Sequence, residues 1–361
     1  MAQQRALIAM SGGVDSSVAA KLMLAEGADC IGCTMLLYEA PELAAVRGVA
    51  CCSKDDTDDA RSVAFRLGMP HYVLNFKAPF REKVIARFAE SYACGRTPNP
   101  CIDCNRYIKF GLLLERAEVL GCDCIVTGHY ARIEHDGGRY VLKKAVDETK
   151  DQSYFLYDLS QEQLARIRFP LGALRKIEVR EIARENGFVN AKKHDSQDIC
   201  FAPDGDCAGA VERYLGAPCP SGEFLDTNGR VLGMHRGLHH YTIGQRRGLG
   251  VSAAQPLYVC RLDAERNAVI LGTKEQILTG ELMIDHVRWI SGKTPTGMFR
   301  CKVKTRYRGQ EQWAAIEPLG DDQARIMFDM PQRAAAAGQA AVLYDGDIVL
   351  GGGTIREANA L

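Results

Sequence analysis

The chain has 361 residues, more than one hydrophobic core usually holds, so two or three domains are expected. Its 45 basic and 45 acidic side chains cancel, which excludes bulk charge as the means of holding nucleic acid; any basic surface must be local. No apolar run is long enough to cross a membrane and the N-terminal apolar stretch is too short for a secretory signal, so a cytoplasmic protein with no membrane partner is expected.

The first half alternates strand and helix. "RALIAM" (5–10) is a short apolar run and reads as a buried strand, followed by a helix from Ser16 to Glu26. "CIGCTMLL" is a second strand. "DDTDDARSVAFRLG" opens on acids, carries Ala60, Val63, Ala64 and Leu67 at helical spacing, and stops at Gly68. "HYVLNF" is a third strand and "FREKVIARFAESYA" the next helix. After "RTPNPCIDC" come a helix, "IKFGLLLERAEVLG", and a strand, "CDCIVTGHYAR". "RIEHDGGRYVLKKA" reads as a hairpin turning at Asp136–Gly138, and "IEVREIARENG" as one more helix. This alternation predicts an α/β fold with a doubly wound parallel sheet. Near residue 205 the texture changes. The Pro- and Gly-rich stretch 203–224 reads as a boundary, and short strands follow, including hairpins in 257–272 and 298–318. The expected domains are 1–205 (nucleotide-binding α/β), 206–280 (central, β-rich) and 281–361 (a small β-barrel or sandwich of five or six strands).

"MSGGVDSS" (10–17) lies between the first strand and the first helix. Gly12 and Gly13 let the backbone turn tightly against phosphate oxygens, Ser11, Ser16 and Ser17 add hydroxyls, and the helix N-terminus adds oriented N–H groups. Asp15 can sit near a phosphate-bound Mg²⁺ or cap the helix. The lysine of a Walker A loop is missing. The stretch resembles the PP-loop of ATP pyrophosphatases, which cleave ATP between the α- and β-phosphates and activate an oxygen as an adenylate. In a doubly wound sheet the ligand sits at the carboxyl ends of strands, which adds Met35 and Gly128-His129 as candidate adenosine contacts.

Fourteen cysteines in a reducing compartment read as core residues, metal ligands or reactive thiols. Cys104 follows a break between helices in a Pro-braced loop. Cys200 has polar flanks, with Lys192, Lys193 and His194 close enough in sequence to favour the thiolate. Cys30 and Cys33 lie on a strand with opposite orientations and read as core; Cys51-Cys52 and Cys122-x-Cys124 read as structural. Arg300, Lys302, Lys304, Arg306 and Arg308 alternate, which on a strand places five cations on one face, away from Cys301, Val303, Thr305 and Tyr307. Such a stripe suits RNA phosphates, and Arg246-Arg247 on a Gly-rich loop could add to it. Two rival readings are an ammonia-using PP-loop enzyme, which leaves Cys104 and Cys200 without a purpose, and a zinc-knuckle RNA-binding protein, which lacks a second C-x-x-C at suitable spacing.

"SGGVDSS", "NPCIDCNRYIKFG", "TGHYAR", "KDQSYFL", "SQDICF", "YTIGQRRGLG" and "GQAAVLYDGDIVLGGGTI" occur in this order. The chain thereby resembles the tRNA-specific 2-thiouridylases (MnmA, also called TrmU), which modify the wobble uridine of tRNAs for Lys, Glu and Gln. The resemblance implies ATP and Mg²⁺ at Ala9, Met10, Ser11, Gly12, Gly13, Val14, Asp15, Ser16 and Ser17, with Met35 and Gly128. It implies Cys104 and Cys200 as catalytic cysteines, Cys200 carrying a persulfide from a cysteine desulfurase or a sulfur-relay protein, and a transient disulfide between the two. It implies tRNA contacts at Asn99, Pro100, Cys101, His129, Lys150, Asp151, Gln152, Arg306, Tyr307 and Gln339, the first three beside the flipped base. One position departs: Cys101 stands where the best-known branch carries Asp. Cys101, Cys104 and Cys200 could instead hold a [4Fe–4S] cluster whose fourth iron binds hydrosulfide, so two sulfur-delivery schemes stay open.

Overall fold

The computed structural model describes residues 3–38, 54–195, 199–202 and 205–360; Cys51 and Cys52 lie outside them. Strand β1 (Arg5–Ala9) is followed by helix α1 (Val14–Ala25), β2 (Asp29–Leu36), α2 (Lys54–Arg66) and β3 (His71–Asn75). Ala6, Leu7 and Ile8 of β1 are fully buried, as the continuous apolar run of a strand covered on both faces requires. In α2, Asp55 and Asp56 sit at the N-terminal end and Arg66 at the C-terminal end, each favourable to the helix dipole.

The next two helices are each continuous, with a wider π-helical segment inside. The first runs through α3 (Lys77–Phe80), a π segment (Arg81–Ala86) and α4 (Arg87–Ala93). The second runs through α5 (Pro100–Asp103), a π segment (Cys104–Leu112) and α6 (Leu113–Val119). The predicted loop around Cys104 is therefore helix. Asn99 caps it by accepting from the Cys101 N–H (3.2 Å), and Pro100, whose ring suits the first helical position, starts the turn. The expected single strand at 122–132 is split into β4 (Cys124–Val126) and β5 (Ala131–Asp136), with residues 127–130 turning between them. The hairpin partner of β5 is β6 (Arg139–Lys144), turning where predicted. Then come α7 (Gln161–Ala165), β7 (Ile167–Arg168), which has no clear sequence signal at two residues, and α8 (Lys176–Glu185).

Strands β1–β4 and β7 form an all-parallel sheet in the order β3-β2-β1-β4-β7. The chain order reverses direction between β1 and β4, which opens a crevice at their carboxyl ends. The expected boundary at 203–224 contains a helix, α9 (Cys207–Leu215). Asp206 caps it through the Gly209 N–H (2.9 Å), and Gly216 ends it in the left-handed conformation (φ 71°). A four-stranded sheet follows, ordered β10-β11-β8-β9, from β8 (Gly222–Asp226), β9 (Val231–His235), β10 (Tyr258–Asp263) and β11 (Ala268–Gly272).

The last six strands are β12 (Leu278–Trp289), β13 (Phe299–Lys304), β14 (Gln312–Pro318), β15 (Ala324–Arg333), β16 (Ala340–Asp345) and β17 (Ile348–Ala360). They run β12-β15-β14-β13-β16-β17, and β17 pairs back to β12, closing a six-stranded barrel. Leu282, Ile284, Val303, Ile316, Ile326 and Leu343 fill it; each such burial contributes about 1.5–3 kcal/mol. The β5–β6 hairpin leaves the parallel sheet and joins this barrel sheet through Ile348 and Lys143. One apolar core consequently runs from Leu7 and Ile125 of the parallel sheet to Val342 and Tyr344 of the barrel. Among the described residues no helix is long and apolar enough to cross a membrane.

Candidate active site

At the mouth of the crevice, residues 10–13 connect β1 to α1. The helix begins at Val14, two residues earlier than expected, so Asp15, Ser16 and Ser17 belong to its first turn. Gly12 has φ 75°, and a Cβ there would meet the Asp56 backbone oxygen at 2.3 Å. Only glycine fits that bend. Two of the three hydroxyls are already engaged inside the loop. Ser16 Oγ donates to the Gly13 carbonyl (3.0 Å) and accepts from the Ser11 N–H (3.2 Å). Ser17, fully buried, donates to the same carbonyl (3.1 Å) and accepts from Asn190 Nδ2 (2.9 Å). Ser11 faces outward. The loop therefore presents backbone N–H groups and Ser11 to an anion.

Gly128, at the end of β4, lies directly against this turn. A Cβ there would sit 2.8 Å from Asp15 C and Ser16 N. Met35, half-buried near the end of β2, lies opposite Leu74 of β3. Asp15 does not cap the helix. Its Oδ1 accepts from Tyr130 Oη (2.8 Å), and both its oxygens accept from Lys176 Nζ (2.6 and 2.8 Å). Lys176 also meets Asp195 (2.8 Å), which pairs with Lys150 (2.8 Å) and Arg180 (2.9 Å). Burial opposes ionisation of Asp195, but the bonds from Lys150 and Lys176 outweigh it and pull its carboxyl down to about 2. Tyr130, Lys176, Asn190 and Asp195 escaped the sequence reading. Two carried a signal: Tyr130, in "TGHYAR", and Asp195, in "KKHDSQDICF".

Lys193 was expected beside Cys200. It instead meets Asp56 and Asp59 (2.6 Å each) and approaches the Gly12 carbonyl (3.4 Å), so its charge braces the phosphate loop. His129 is buried against Phe110 and Phe169. The Lys109 ammonium can only donate to its Nε2 (3.4 Å), so Nδ1 carries the proton and donates to Thr127 Oγ1 (2.7 Å). Burial, with Lys109 adding, keeps the ring neutral. Asp151 is also buried and accepts from Ala145 N, Ser153 N and Ser153 Oγ, while Gln152 Oε1 accepts from Tyr130 N. His129 and Asp151 thus lie beneath the surface.

The second end of the site holds the thiols. Cys104 is buried in the core cluster that includes Phe80, Phe88 and Phe201, and Cys200 packs against the same cluster. Phe201, next to Cys200, stacks edge-on against Phe80 (6.0 Å) and Phe88 (5.2 Å), which seats the Cys200 segment over the helix of residues 77–93. Cys104 and Cys200, 96 residues apart in sequence, both border the large apolar core that runs from the parallel sheet to the barrel. Cys101 is exposed on the turn before Cys104. Asp103 ion-pairs with Arg87 (3.5 Å) and lies 4.0 Å from Arg106. Asn105 Nδ2 donates to the Phe155 carbonyl (3.1 Å).

The barrel forms the wall beside this end. Gln339 Nε2 donates to the Thr97 carbonyl (2.9 Å) and lies 3.4 Å from that of Pro98, and the Thr97 N–H donates to the Ala337 carbonyl (2.8 Å). Tyr307 stacks on Phe155 (4.4 Å), and Lys304 Nζ lies over its ring (5.7 Å). Burial raises the Tyr307 hydroxyl, and the charges of Asp151 and Cys101 add to this. The predicted five-cation stripe is not one face. Strand β13 stops at Lys304, and Arg306 and Arg308 lie on the turn beyond it, both exposed. Arg300 pairs with Asp329 and Lys302 sits over Trp313 (5.8 Å). Tyr307, expected on the opposite face, shares its side with Lys304. Arg246 and Arg247 are exposed on a turn.

Cys30, Cys33, Cys122, Cys124 and Cys301 fit a structural role. Burial pushes the Cys30 thiol up to about 11 and those of Cys33 and Cys301 up to about 12, which suppresses thiolate chemistry. Cys122 and Cys124 are buried as well.

Three family models match consecutive stretches: a tRNA methyl transferase HUP domain over 4–204, a tRNA methyl transferase PRC-barrel domain over 209–273, and an aminomethyltransferase beta-barrel domain over 279–355. Full-length relatives are more specific. The chain is 50% identical over 355 residues to the tRNA-specific 2-thiouridylase MnmA 1 of Thermoanaerobacter sp. (strain X514), covering 98% of each. It is 48% identical to the MnmA of Acetivibrio thermocellus (99% and 100% covered) and 46% identical to that of Clostridioides difficile (98% and 99%).

Proposed function

The chain belongs to the tRNA-specific 2-thiouridylase family, PP-loop enzymes that thiolate tRNA, and on that premise we propose that it converts the wobble uridine of tRNAs for Lys, Glu and Gln to 2-thiouridine in the cytoplasm. ATP transfers its adenylyl group to the C2 oxygen and pyrophosphate leaves. The carrying observation is the pairing of two ends: an anion cradle packed against Gly128, and two cysteines distant in sequence at one core cluster.

Backbone N–H groups of residues 12 and 13, the Ser11 hydroxyl and the α1 N-terminus hold the pyrophosphate end, and Met35 and Gly128 border the adenosine. The carboxylate oxygens of Asp15 are occupied by Tyr130 and Lys176. Phosphate oxygens and water therefore supply most of the ligands of Mg²⁺, which prefers to keep its waters. Lys176, held by two carboxylates, offsets charge near the phosphates. Domain 206–280, with Arg246-Arg247, and the barrel 281–361 hold the tRNA against the 1–205 domain. Arg306, Tyr307, Gln152, Asn99 and Cys101 face the RNA. Pro100, which is buried instead of lining the surface, acts with His129, Asp151, Lys150 and Gln339 by shaping that surface.

Sulfur follows one of two routes. In the first, Cys200 receives a persulfide from a cysteine desulfurase or relay protein. Its terminal sulfur attacks C2 and AMP leaves. The Cys104 thiolate then attacks Cys200 Sγ, the S–S electron pair returns to the terminal sulfur to leave C2=S, and the Cys104–Cys200 disulfide is reduced by an external thiol. In the second, Cys101, Cys104 and Cys200 hold a [4Fe–4S] cluster. Their soft donor chemistry fits, and Cys101 and Cys104 stand three residues apart on one helix, where side chains are neighbours. Such a cluster would supply hydrosulfide at its open iron. Pyrophosphate release that depends on tRNA, measured with thiolation and iron content after anaerobic purification, tests both levels. Release without tRNA would overturn the adenylation step. An iron-free enzyme that thiolates with sulfide alone would overturn the cluster.

A further inference from the structure

Glu212 of α9 faces a short 3₁₀ turn, Leu238–His240, in the central domain. His239 Nε2 lies 3.2 Å from Glu212 Oε1 and His240 Nε2 lies 3.7 Å from the same oxygen. Among the described residues this is the group of three metal-ligand side chains whose donor atoms all fall within 4.8 Å of one another. Consecutive residues on such a turn point about 120° apart, yet these two rings converge, with centroids 4.5 Å apart. A hydrogen bond explains the first contact and not the second, which exceeds hydrogen-bond distance. A tetrahedral Zn²⁺ with bonds of about 2.0–2.2 Å separates its ligand atoms by about 3.3–3.6 Å, a range that the two separations to Glu212, 3.2 and 3.7 Å, bracket.

The backbone is shaped for the convergence. Gly237 precedes the turn with φ 121°, and a Cβ there would lie 2.7 Å from His239 Cε1 and 3.2 Å from Cys219 Cβ. The Cys219 N–H donates to Glu212 Oε1 (3.3 Å), orienting the carboxylate. His239 is nearly inaccessible (2%), His240 and Glu212 more open (16% and 30%), so the site has a dry wall and a wet mouth.

We propose that Glu212, His239 and His240 bind a Zn²⁺-class divalent ion, with water in the fourth position, and that this ion pins α9 to the 238–240 turn within the central domain. Two imidazoles and one carboxylate select Zn²⁺ or Co²⁺ over Mg²⁺ or Ca²⁺, which prefer all-oxygen shells. The site uses none of Cys101, Cys104 and Cys200 as a ligand, so its occupancy does not depend on the sulfur route.

The test loads chelator-stripped, untagged full-length protein with Zn²⁺ or Co²⁺. The expected result is one equivalent bound with tetrahedral Co²⁺ absorption, retained when Cys101, Cys104 and Cys200 are all changed to Ser, and a Tm raised by Zn²⁺. Glu212→Gln and His240→Gln, both at the open mouth, should each weaken binding at least tenfold and abolish the Tm rise, with circular dichroism confirming the fold. His239→Asn is the third variant. No uptake by the stripped wild type at micromolar Zn²⁺ would overturn the proposal. So would unchanged binding in Glu212→Gln and His240→Gln, or loss of the ion with the three cysteines.

Discussion

The two ends of the proposed active site are built in different ways. The ATP end is a charge lattice drawn entirely from the α/β region: Asp15, Lys176, Asp195, Lys150 and Arg180 form one chain of ion pairs, and Lys193 with Asp56 and Asp59 a second. The thiol end is apolar and lies at a seam. Cys104 is buried in the apolar core and Cys200 packs against it, and the barrel holds the loop before Cys104 through Gln339 and the Ala337 carbonyl. Adenylation needs fixed charges where phosphate charge develops, and a rigid ionic lattice supplies them without reorganisation. Sulfur transfer needs a desolvated nucleophile and room for a base. A seam between domains offers both, because substrate can enter where two surfaces meet. The two half-reactions should accordingly be separable by mutation.

The strongest way to break this contrast is at the thiols. Cys104→Ser and Cys200→Ser should each abolish thiolation while leaving tRNA-dependent pyrophosphate release; loss of both activities would mean the ends are one unit. Next, Lys176→Met should lower pyrophosphate release about 100-fold, the scale of losing a preorganised charged donor, and thiolation with it, in a single-turnover assay. Gln339→Leu removes the anchor of the Thr97–Pro98 loop, worth about 1–1.5 kcal/mol. It should raise the KM for tRNA about tenfold and leave the KM for ATP unchanged, and an ATP effect would contradict the division. Asp195 gives a pH signature of the ionic end. Its folded carboxyl is depressed to about 2, so its contribution is complete above about pH 4 and is lost as pH falls towards 2. Unfolding by urea should show about 1–2 kcal/mol of acid-sensitive stability that Asp195→Asn lacks. The smallest effect belongs to the exposed rim: Arg306→Ala should reduce the slope of log affinity for tRNA against log salt by about 0.7–0.9, leaving both chemical steps intact once tRNA is saturating.

Local pattern and tertiary context divided the information unequally. The apolar runs at 5–10 and 30–37, the helical spacing of Ala60, Val63 and Ala64, and the Asp136–Gly138 turn were legible because each depends on residues near in sequence. The phosphate loop was legible for the same reason: Gly12, Gly13 and the start of α1 form one continuous turn. The Cys104 loop was misread because Asn99 and Pro100 read equally as a break or as a helix start, and only the Cys101 N–H bond to Asn99 decides. The cation stripe failed where β13 stops at Lys304, since alternation does not reveal where a strand ends. Lys193 was assigned to the wrong end because proximity along the chain to Cys200 carries no information about direction in space.

By itself the sequence determined the parallel α/β architecture, the anion cradle after β1, and, through the order of its motifs, the thiouridylase family with Cys104 and Cys200 as the residues of interest. Only the tertiary structure decided that Lys176 bridges Asp15, in the first turn of α1, to Asp195, that the β5–β6 hairpin extends the barrel sheet, that Gln339 reaches the Thr97 carbonyl and Tyr307 stacks on Phe155, and that His239 and His240 converge on Glu212. The physical reason is range. A turn, a cap or a buried strand is written in a few neighbouring residues, whereas ion pairs, aromatic seats and ligand clusters join positions tens to hundreds of residues apart, and the folded core alone sets their distances.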